Sequence, residues 1–309
     1  MKLIIQIPCY NEAQSLPLLC QSLPRSVNGF DSVEWVVIND GSSDRTAEVA
    51  RECGVDHVVD HPTNQGLAKA FMTGLGFCLE HGADVIVNTD ADNQYDSRDI
   101  EALVRPVVEG KAGFVVGERP ISSIREFSLL KRVLQRMGSW VVRVASGTSV
   151  PDAPSGFRAF SRDAAKRMMV YSDYTYTLET IIQAGLSDMA VASVPVRVNP
   201  SVRRSRLVKS VFSYVWKSIF TIARIFVVYR PFAFFGSIGL GLMVSGFLIG
   251  LRFLCYYFFG DGEGKVQSLI LASMLMGMGF QTVLIAFLAD LVSANRKLIE
   301  RLRVMMMKD

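Results

Sequence analysis

Asp90-Ala91-Asp92 sets two carboxylates one residue apart, directly after the apolar run Asp84-Val85-Ile86-Val87-Asn88. Oxygen ligands so spaced, where a buried strand turns into a loop, can share a divalent cation that also binds a diphosphate. The ion would offset charge developing on a diphosphate as it leaves. Gln94, two positions on, can point to the same side as a third oxygen ligand. A bare D-x-D also occurs in many solvated turns. Its place at the end of an apolar strand favours ligation here.

The elements that must position these groups alternate in type. Leu3–Ile7 is an apolar run closed by Pro8, and Glu34-Trp35-Val36-Val37-Ile38-Asn39 is a second. His57–Val59, Asp84–Asn88 and Phe114–Gly117 read as further strands. Helical spacing lies between them, over residues 12–23, about 45–53 and about 66–81, the second capped by the turn Asp40 to Asp44. Short β-rich runs separated by helices indicate an α/β fold with a mostly parallel, doubly wound sheet. Ligands of such sheets lie beyond the carboxyl ends of the strands. The polar clusters fall there: Tyr10-Asn11-Glu12, Asp40 to Asp44, and Asp90 to Asp96.

The rear of the chain is different. Phe232–Leu251 and Val266–Ala289 are uncharged runs of 20 and 24 residues. About 20 apolar residues cross a bilayer core as a helix, so spans are expected at about 232–251 and 266–289. Residues 201–309 hold 14 Lys and Arg against 5 Asp and Glu, whereas residues 1–200 hold 19 against 24. A basic rear beside two spans favours anionic lipid over nucleic acid. Residues 201–230 carry seven basic and no acidic residues, with Lys209, Lys217 and Arg224 near one helical face. They read as amphipathic helices lying in the interface. Both flanks of the spans are basic, so the ends are expected in the cytoplasm and the loop 260–265 outside. Gly246 and Gly250, and Ser273 with Gly277, have the small-xxx-small spacing of close helix contact, which would also serve a second copy of the chain. Met1 and Lys2 lead straight into the first strand with no room for a secretory leader. Cys9, Cys20, Cys53, Cys78 and Cys255 lack metal-ligand spacing and read as reduced residues of a cytosol-facing domain.

Five motifs then carry a resemblance. Ile7-Pro8-Cys9-Tyr10-Asn11-Glu12 resembles the P-x-Y-N-E opening of the family 2 glycosyltransferases. Asn39-Asp40-Gly41-Ser42-Ser43-Asp44-Arg45-Thr46 resembles their D-G-S-x-D-x-T turn, and Asn64-Gln65-Gly66-Leu67-Ala68-Lys69-Ala70 their N-x-G-x-x-x-A. Asp90-Ala91-Asp92-Asn93-Gln94 and Ser155-Gly156-Phe157-Arg158 resemble the D-A-D-x-Q and S-G-F-R of the polyprenyl-phosphate branch, which includes dolichyl-phosphate mannose synthases. The match spans about residues 1–230 in motif order.

The resemblance implies a GT-A catalytic domain over residues 1–200, juxtamembrane helices over 201–230, and an inner- or plasma-membrane anchor over 231–309. It implies a nucleotide-sugar donor, a polyprenyl phosphate acceptor and Mg2+ or Mn2+. Pro8, Tyr10, Glu12, Asp40 and Asp90 would line the nucleotide site, with Asp90, Asp92 and Gln94 toward the metal. Arg119, Lys131 or Arg132, Ser155 and Arg158 would form the acceptor side. Arg203, Arg204 or Arg206 would close over the phosphates. Asp92, Arg119 and Arg158 would be the catalytic set. Two departures stand out: Asn39 where many members have Asp, and Glu118 in place of a small residue before Arg119.

Chemistry agrees with that implication. A phosphate monoester has a second pKa of about 6, so a polyprenyl phosphate is a ready nucleophile without a base. No carboxylate pair for a retaining double displacement stands out, so inversion is expected. A processive polysaccharide synthase would need Q-x-x-R-W, which is absent, and more spans. A silent membrane scaffold is disfavoured by intact Asp90, Asp92, Gln94 and Arg158. A nucleotidyltransferase would carry a Gly-rich basic loop where Asn11-Glu12-Ala13 stands. His57, Asp60 and His61 read as loop residues rather than a metal set.

Overall fold

The structure is a computed structural model that describes residues 1–120, 129–170, 176–199, 220, 223–224, 227–259 and 266–306. The chain divides into two compact units, Met1–Ser218 and Ile219–Asp309.

The first unit is built on seven strands: β1 (Lys2–Cys9), β2 (Ser32–Asn39), β3 (His57–Asp60), β4 (Val85–Asn88), β5 (Phe114–Glu118), β6 (Arg158–Ser161) and β7 (Val191–Pro195). Their order is β3-β2-β1-β4-β6-β5-β7. All neighbouring pairs are parallel except those of β6, which runs antiparallel to both β4 and β5. Among the described residues, helices α1 (Leu16–Ser22), α2 (Thr46–Glu52), α3 (Leu67–Glu80), α4 (Ile100–Val108), α5 (Leu129–Ser146), α6 (Arg162–Arg167) and α7 (Thr177–Leu186) accompany the strands.

β1 is buried along nearly its whole length, as a strand covered on both faces must be. Leu3, Ile5 and Ile7 point to one face, where they join Val37, Val87 and Val115 from neighbouring strands and Leu16, Leu19 and Leu103 from α1 and α4. Burying each such side chain stabilises the fold by about 1.5–3 kcal/mol. Phe71 of α3 packs on the rings of Phe160 and Tyr176.

α1 starts at Leu16 rather than at residue 12. The cause is local: the Glu12 N–H donates to Thr46 Oγ1 at 2.9 Å, which ties this stretch to the loop after β2. β6 is not expected from the sequence, because Arg158-Ala159-Phe160-Ser161 opens on a charge and holds only two apolar residues.

The second unit holds α8 (Pro231–Phe259) and α9 (Val266–Met306). Pro231–Phe258 and Val266–Arg296 are long and apolar enough to cross a membrane. Both outrun the expected spans. α8 continues past Leu251 through Arg252, whose guanidinium lies 5.6 Å from the Tyr256 ring centroid. A 29-residue helix is about 43 Å long, more than a hydrocarbon core of about 30 Å. Of the expected interfacial helices, Phe220, residues 223–224 and residues 227–229 are described, and they are helical. Tyr229 packs under the Arg296 guanidinium at 4.2 Å.

α8 and α9 approach through glycine. A Cβ on Gly239 would lie 2.9 Å from the Gly279 carbonyl oxygen, and one on Gly279 would lie 2.8 Å from that of Gly239. Gly246 does face α9, against the Ala272 carbonyl at 2.9 Å, whereas Gly277 meets nothing within 4 Å. The small-residue spacing thus serves contact within the chain at Gly246, and the Gly239–Gly279 contact is one that spacing did not mark. Gly239→Leu should destabilise the helix pair by about 1–3 kcal/mol. Gly241→Leu, at a position with open space around it, should leave the melting temperature of the detergent-solubilised chain unchanged. Equal melting of the two variants would contradict this packing.

Candidate active site

Three loops meet at the carboxyl ends of β1, β2 and β4. The first two are laced together. Asn11, in the left-handed region at φ 56°, donates its N–H to Ser42 Oγ at 3.0 Å and accepts from the Ser43 N–H at 2.8 Å. The Ala13 N–H donates to Asp44 Oδ2 at 3.2 Å. Gly41, at φ 64°, has no room for a side chain, since a Cβ would lie 2.3 Å from the Thr63 carbonyl carbon. Pro8 is buried in β1, Glu12 is buried beside Ser15, and Tyr10 stands half-exposed at the rim.

Asp40 has a supporting task. Its Oδ1 accepts from the Gln65 N–H at 2.9 Å and pairs with His61 Nδ1 at 2.8 Å, and its Oδ2 accepts from the Gly66 N–H at 2.8 Å. His61 is fixed in turn by Thr73 Oγ1 at 3.0 Å. Asp40 thereby holds the segment that leads into α3. His61 lies in the loop after β3, with its side chain largely buried against that carboxylate.

The loop after β4 carries the two carboxylates. Asp92 Oδ1 accepts from the Gln94 N–H at 3.1 Å, which curls the loop. Asn93 adopts φ 55°. Asn199 braces the loop from the segment after β7, donating to the Asn93 and Tyr95 carbonyls at 3.0 and 3.1 Å. Arg197 anchors that segment to Asp99, with its Nε 3.0 Å from Oδ1. Asp90 lies against the backbone of Gly156: a Cβ there would fall 2.5 and 2.6 Å from its two carboxylate oxygens. Burial and the neighbouring Asp92 push the Asp90 carboxyl up to about 7, against the pull of Arg119 and Arg158.

Arg119 and Arg158 are both buried. Arg119 makes a two-pronged pair with Asp152, Nε to Oδ2 at 2.7 Å and Nη2 to Oδ1 at 3.0 Å. No hydrogen bond from its Nη1 is seen among the described residues. Arg158 donates to the Ser155 carbonyl at 2.7 Å, to the Ala153 carbonyl at 2.9 Å and to Thr180 Oγ1. Burial pulls its guanidinium down to about 10. It folds the 153–156 turn from beneath and offers no exposed donor, which differs from the expected place on the acceptor surface. Ser155 is likewise fully buried. Lys131 and Arg132 lie on α5; their side chains, and Arg203, Arg204 and Arg206, fall outside the described residues.

Asp152 escapes a reading by motif, although a charge between Pro151 and Pro154, three residues before Ser155, marks a constrained turn. Asn88, Tyr95, Tyr176 and Asn199 escape it too. They are uncharged, and the groups that fix them, Gly156 for Asn88, Tyr95 and Tyr176 and the 93–95 carbonyls for Asn199, come from other segments of the chain.

The family described as "Glycosyl transferase family 2" matches residues 4–169. A UDP-N-acetylglucosamine–dolichyl-phosphate N-acetylglucosaminyltransferase of Methanococcus voltae is 28% identical over 62% of this chain and 83% of its own length. A polyprenol monophosphomannose synthase of Mycolicibacterium smegmatis is 26% identical over 62% of this chain and 76% of its own length. In structure, glucosyl-3-phosphoglycerate synthase of Mycobacterium tuberculosis, in complex with Mn2+, uridine diphosphate and glucosyl-3-phosphoglycerate, superposes with a TM-score of 0.57 at 20% identity, over 73% of this chain and 78% of that one. The chain belongs to glycosyltransferase family 2 and has the GT-A fold. It is a glycosyltransferase, and two of its helices are long and apolar enough to cross a membrane.

Breaking a buried ion pair from one side strands the other charge. Asp152→Ala should cost about 3–5 kcal/mol in chemical denaturation. The double replacement Asp152→Leu with Arg119→Met should recover much of that loss. A single replacement that costs nothing would contradict the pairing.

Proposed function

We propose that this chain transfers a sugar from a UDP- or GDP-linked donor to undecaprenyl or dolichyl phosphate, with inversion, at the cytoplasmic face of the inner or plasma membrane. The observation that carries the reading is the meeting of Asp90, Asp92, Arg119 and the Asp152–Arg158 segment at the carboxyl end of β4. The names of the relatives supply the acceptor class, and the two membrane-length helices suit a lipid substrate.

The donor set fits a divalent ion. Among the described residues, no group of three or more His, Cys, Asp or Glu side chains could hold a metal by itself. Two carboxylates completed by Gln94, water and phosphate oxygens suit Mg2+ or Mn2+, which are held by few protein ligands plus substrate phosphates. The charge balance agrees: Asp90, Asp92 and Asp152 lie near Arg119 and Arg158, Arg119 is paired with Asp152, and Asp90 is left resisting ionisation. When bound, the ion would neutralise charge on the departing nucleoside diphosphate.

The chain's own residues do the rest. Pro8, Tyr10 and Glu12 border the nucleotide, with Asp40 shaping their neighbouring loop. Arg119, held by Asp152, presents Nη1 toward the acceptor phosphate and fixes its approach. Arg158 and Ser155 keep the turn under Asp90 in place. Lys131, Arg132, Arg203 and Arg206 supply the remaining cations around the two phosphates. The acceptor phosphate is already ionised near neutral pH, so it attacks the anomeric carbon directly. Residues 1–200 form the catalytic domain, 201–230 lie at the head groups, and 231–309 form the multi-pass anchor.

The test is a panel of UDP- and GDP-sugars with both lipid phosphates and Mg2+ or Mn2+, products read by mass spectrometry and anomeric configuration by NMR. One donor should give an inverted lipid-phosphate sugar, and Asp92→Asn should cut its rate by roughly 100-fold. Donor hydrolysis or polymer in place of lipid product would overturn the reading.

A pH dependence follows from Asp90. Its raised carboxyl favours the neutral form in the folded chain, so that stabilisation holds at acid pH and is lost as pH rises through about 7. Metal binding needs the ionised form. Mn2+ should therefore raise the melting temperature more at pH 8 than at pH 6, as read by thermal denaturation; a larger rise at pH 6 would contradict the assignment.

A further inference from the structure

A fully buried polar chain runs beneath the D-x-D loop, and the proposed reaction leaves it unused. It begins at Gln6 in the middle of β1, where an apolar residue would be expected. Gln6 Nε2 donates to Asn88 Oδ1 at 2.9 Å. Asn88 Nδ2 then donates to two acceptors, the Gly156 carbonyl at 2.8 Å and Tyr176 Oη at 2.8 Å. Gly156 is held at its other end as well, since its N–H donates to Tyr95 Oη at 2.9 Å. The side chains of Gln6, Asn88, Tyr95 and Tyr176 are all at 2% exposure or less.

The orientation of this chain is forced. The Gly156 carbonyl only accepts, so the Asn88 group facing it must be the NH2. The Asn88 oxygen must then face Gln6. Each amide hydrogen of Asn88 has one acceptor, and buried groups so satisfied hold a single rotamer. Tyr176 is fixed independently, its ring stacked on Phe71 at 4.0 Å between centroids. Gly156, pinned at both its carbonyl and its N–H, offers its Cα as the floor under the Asp90 carboxylate. There is no slack in that contact, as the clash of any Cβ with both oxygens shows.

We infer that Asn88 is a positioning residue for the Asp90 carboxylate, acting through the Gly156 peptide and supported by Gln6 and Tyr176. The inference rests on the reading of Asp90 and Asp92 as metal ligands. Asn88 sits two residues before Asp90, and Gly156 lies on a separate segment. One amide therefore sets the spacing between the carboxylate loop and the turn beneath it. Groups behind a ligand commonly govern metal affinity in this way.

The experiment is Mn2+ binding to the full chain in detergent, read by electron paramagnetic resonance with and without UDP and GDP. Variants are Asn88→Leu, Asn88→Asp and Tyr176→Phe, each checked by circular dichroism and melting. Asn88→Leu and Asn88→Asp should weaken Mn2+ by about 10-fold or more, and Tyr176→Phe by less, with Asn88→Asp retaining the native volume. The loss should appear as a raised half-saturating Mn2+ concentration, with kcat largely restored at saturating Mn2+. A folded Asn88 variant with wild-type Mn2+ affinity would overturn the inference, as would a kcat loss that saturating Mn2+ does not repair. If wild type binds no Mn2+ even with nucleotide, the metal-ligand reading itself fails. That outcome is distinct from unchanged affinity in the variants.

Discussion

Among the described residues, the buried Asp152, Arg119 and Arg158 lie beside the partly buried Asp90 and Asp92 where β4, β5 and β6 meet the D-x-D loop. Asp152 is satisfied by Arg119, and Arg158 spends its donors on carbonyls and Thr180. Asp90 is left with Asp92 beside it, and burial presses it toward the neutral form. Charges out of water must be paired or neutralised. The loop curled by Asp92, the Asn199 brace and the Gly156 backbone hold the Asp90 carboxylate in place.

The antiparallel β6 makes this arrangement possible. Inserted between β4 and β5, it delivers Arg158 opposite Asn88 and Val116 in the sheet register. The turn before β6 then folds under Asp90. A purely parallel sheet would have sent that turn to the opposite end of the strands. The bracing by Asn199 and Arg197 adds a second consequence, because the segment after β7 grips the D-x-D loop and leads on toward residues 201–230.

Much of this could be read from the chain itself, and the reasons differ by element. β1, β2 and β4 show as apolar runs because both sheet faces are covered, and the carboxylates follow directly. The helices of the second unit show because uncharged runs of bilayer length seldom occur in a chain that stays in water. β6 opens on Arg158 and β7 is interrupted by Ser193 and closed by Pro195, so neither stands out as an apolar run and the mixed character of the sheet was hidden. Arg158 is instructive: its motif was legible, but a motif does not say whether a guanidinium faces a ligand or the backbone. Asp40 repeats the point, with its carboxylate turned to the 65–66 amides. Asn88 and Gln6 left no signal, since a buried amide is identified by its partners, and those come from distant parts of the chain.

A site that joins two phosphate-bearing molecules, with the nucleophile arriving already ionised, must reject an acceptor without a phosphate. The most direct measurement compares undecaprenyl phosphate with undecaprenol as acceptor, in nanodiscs, with the one donor the chain accepts. The account predicts a lipid-linked sugar from the phosphate alone, because the alcohol brings neither a charge for Arg119 nor an ionised oxygen. Comparable transfer to the alcohol would contradict it.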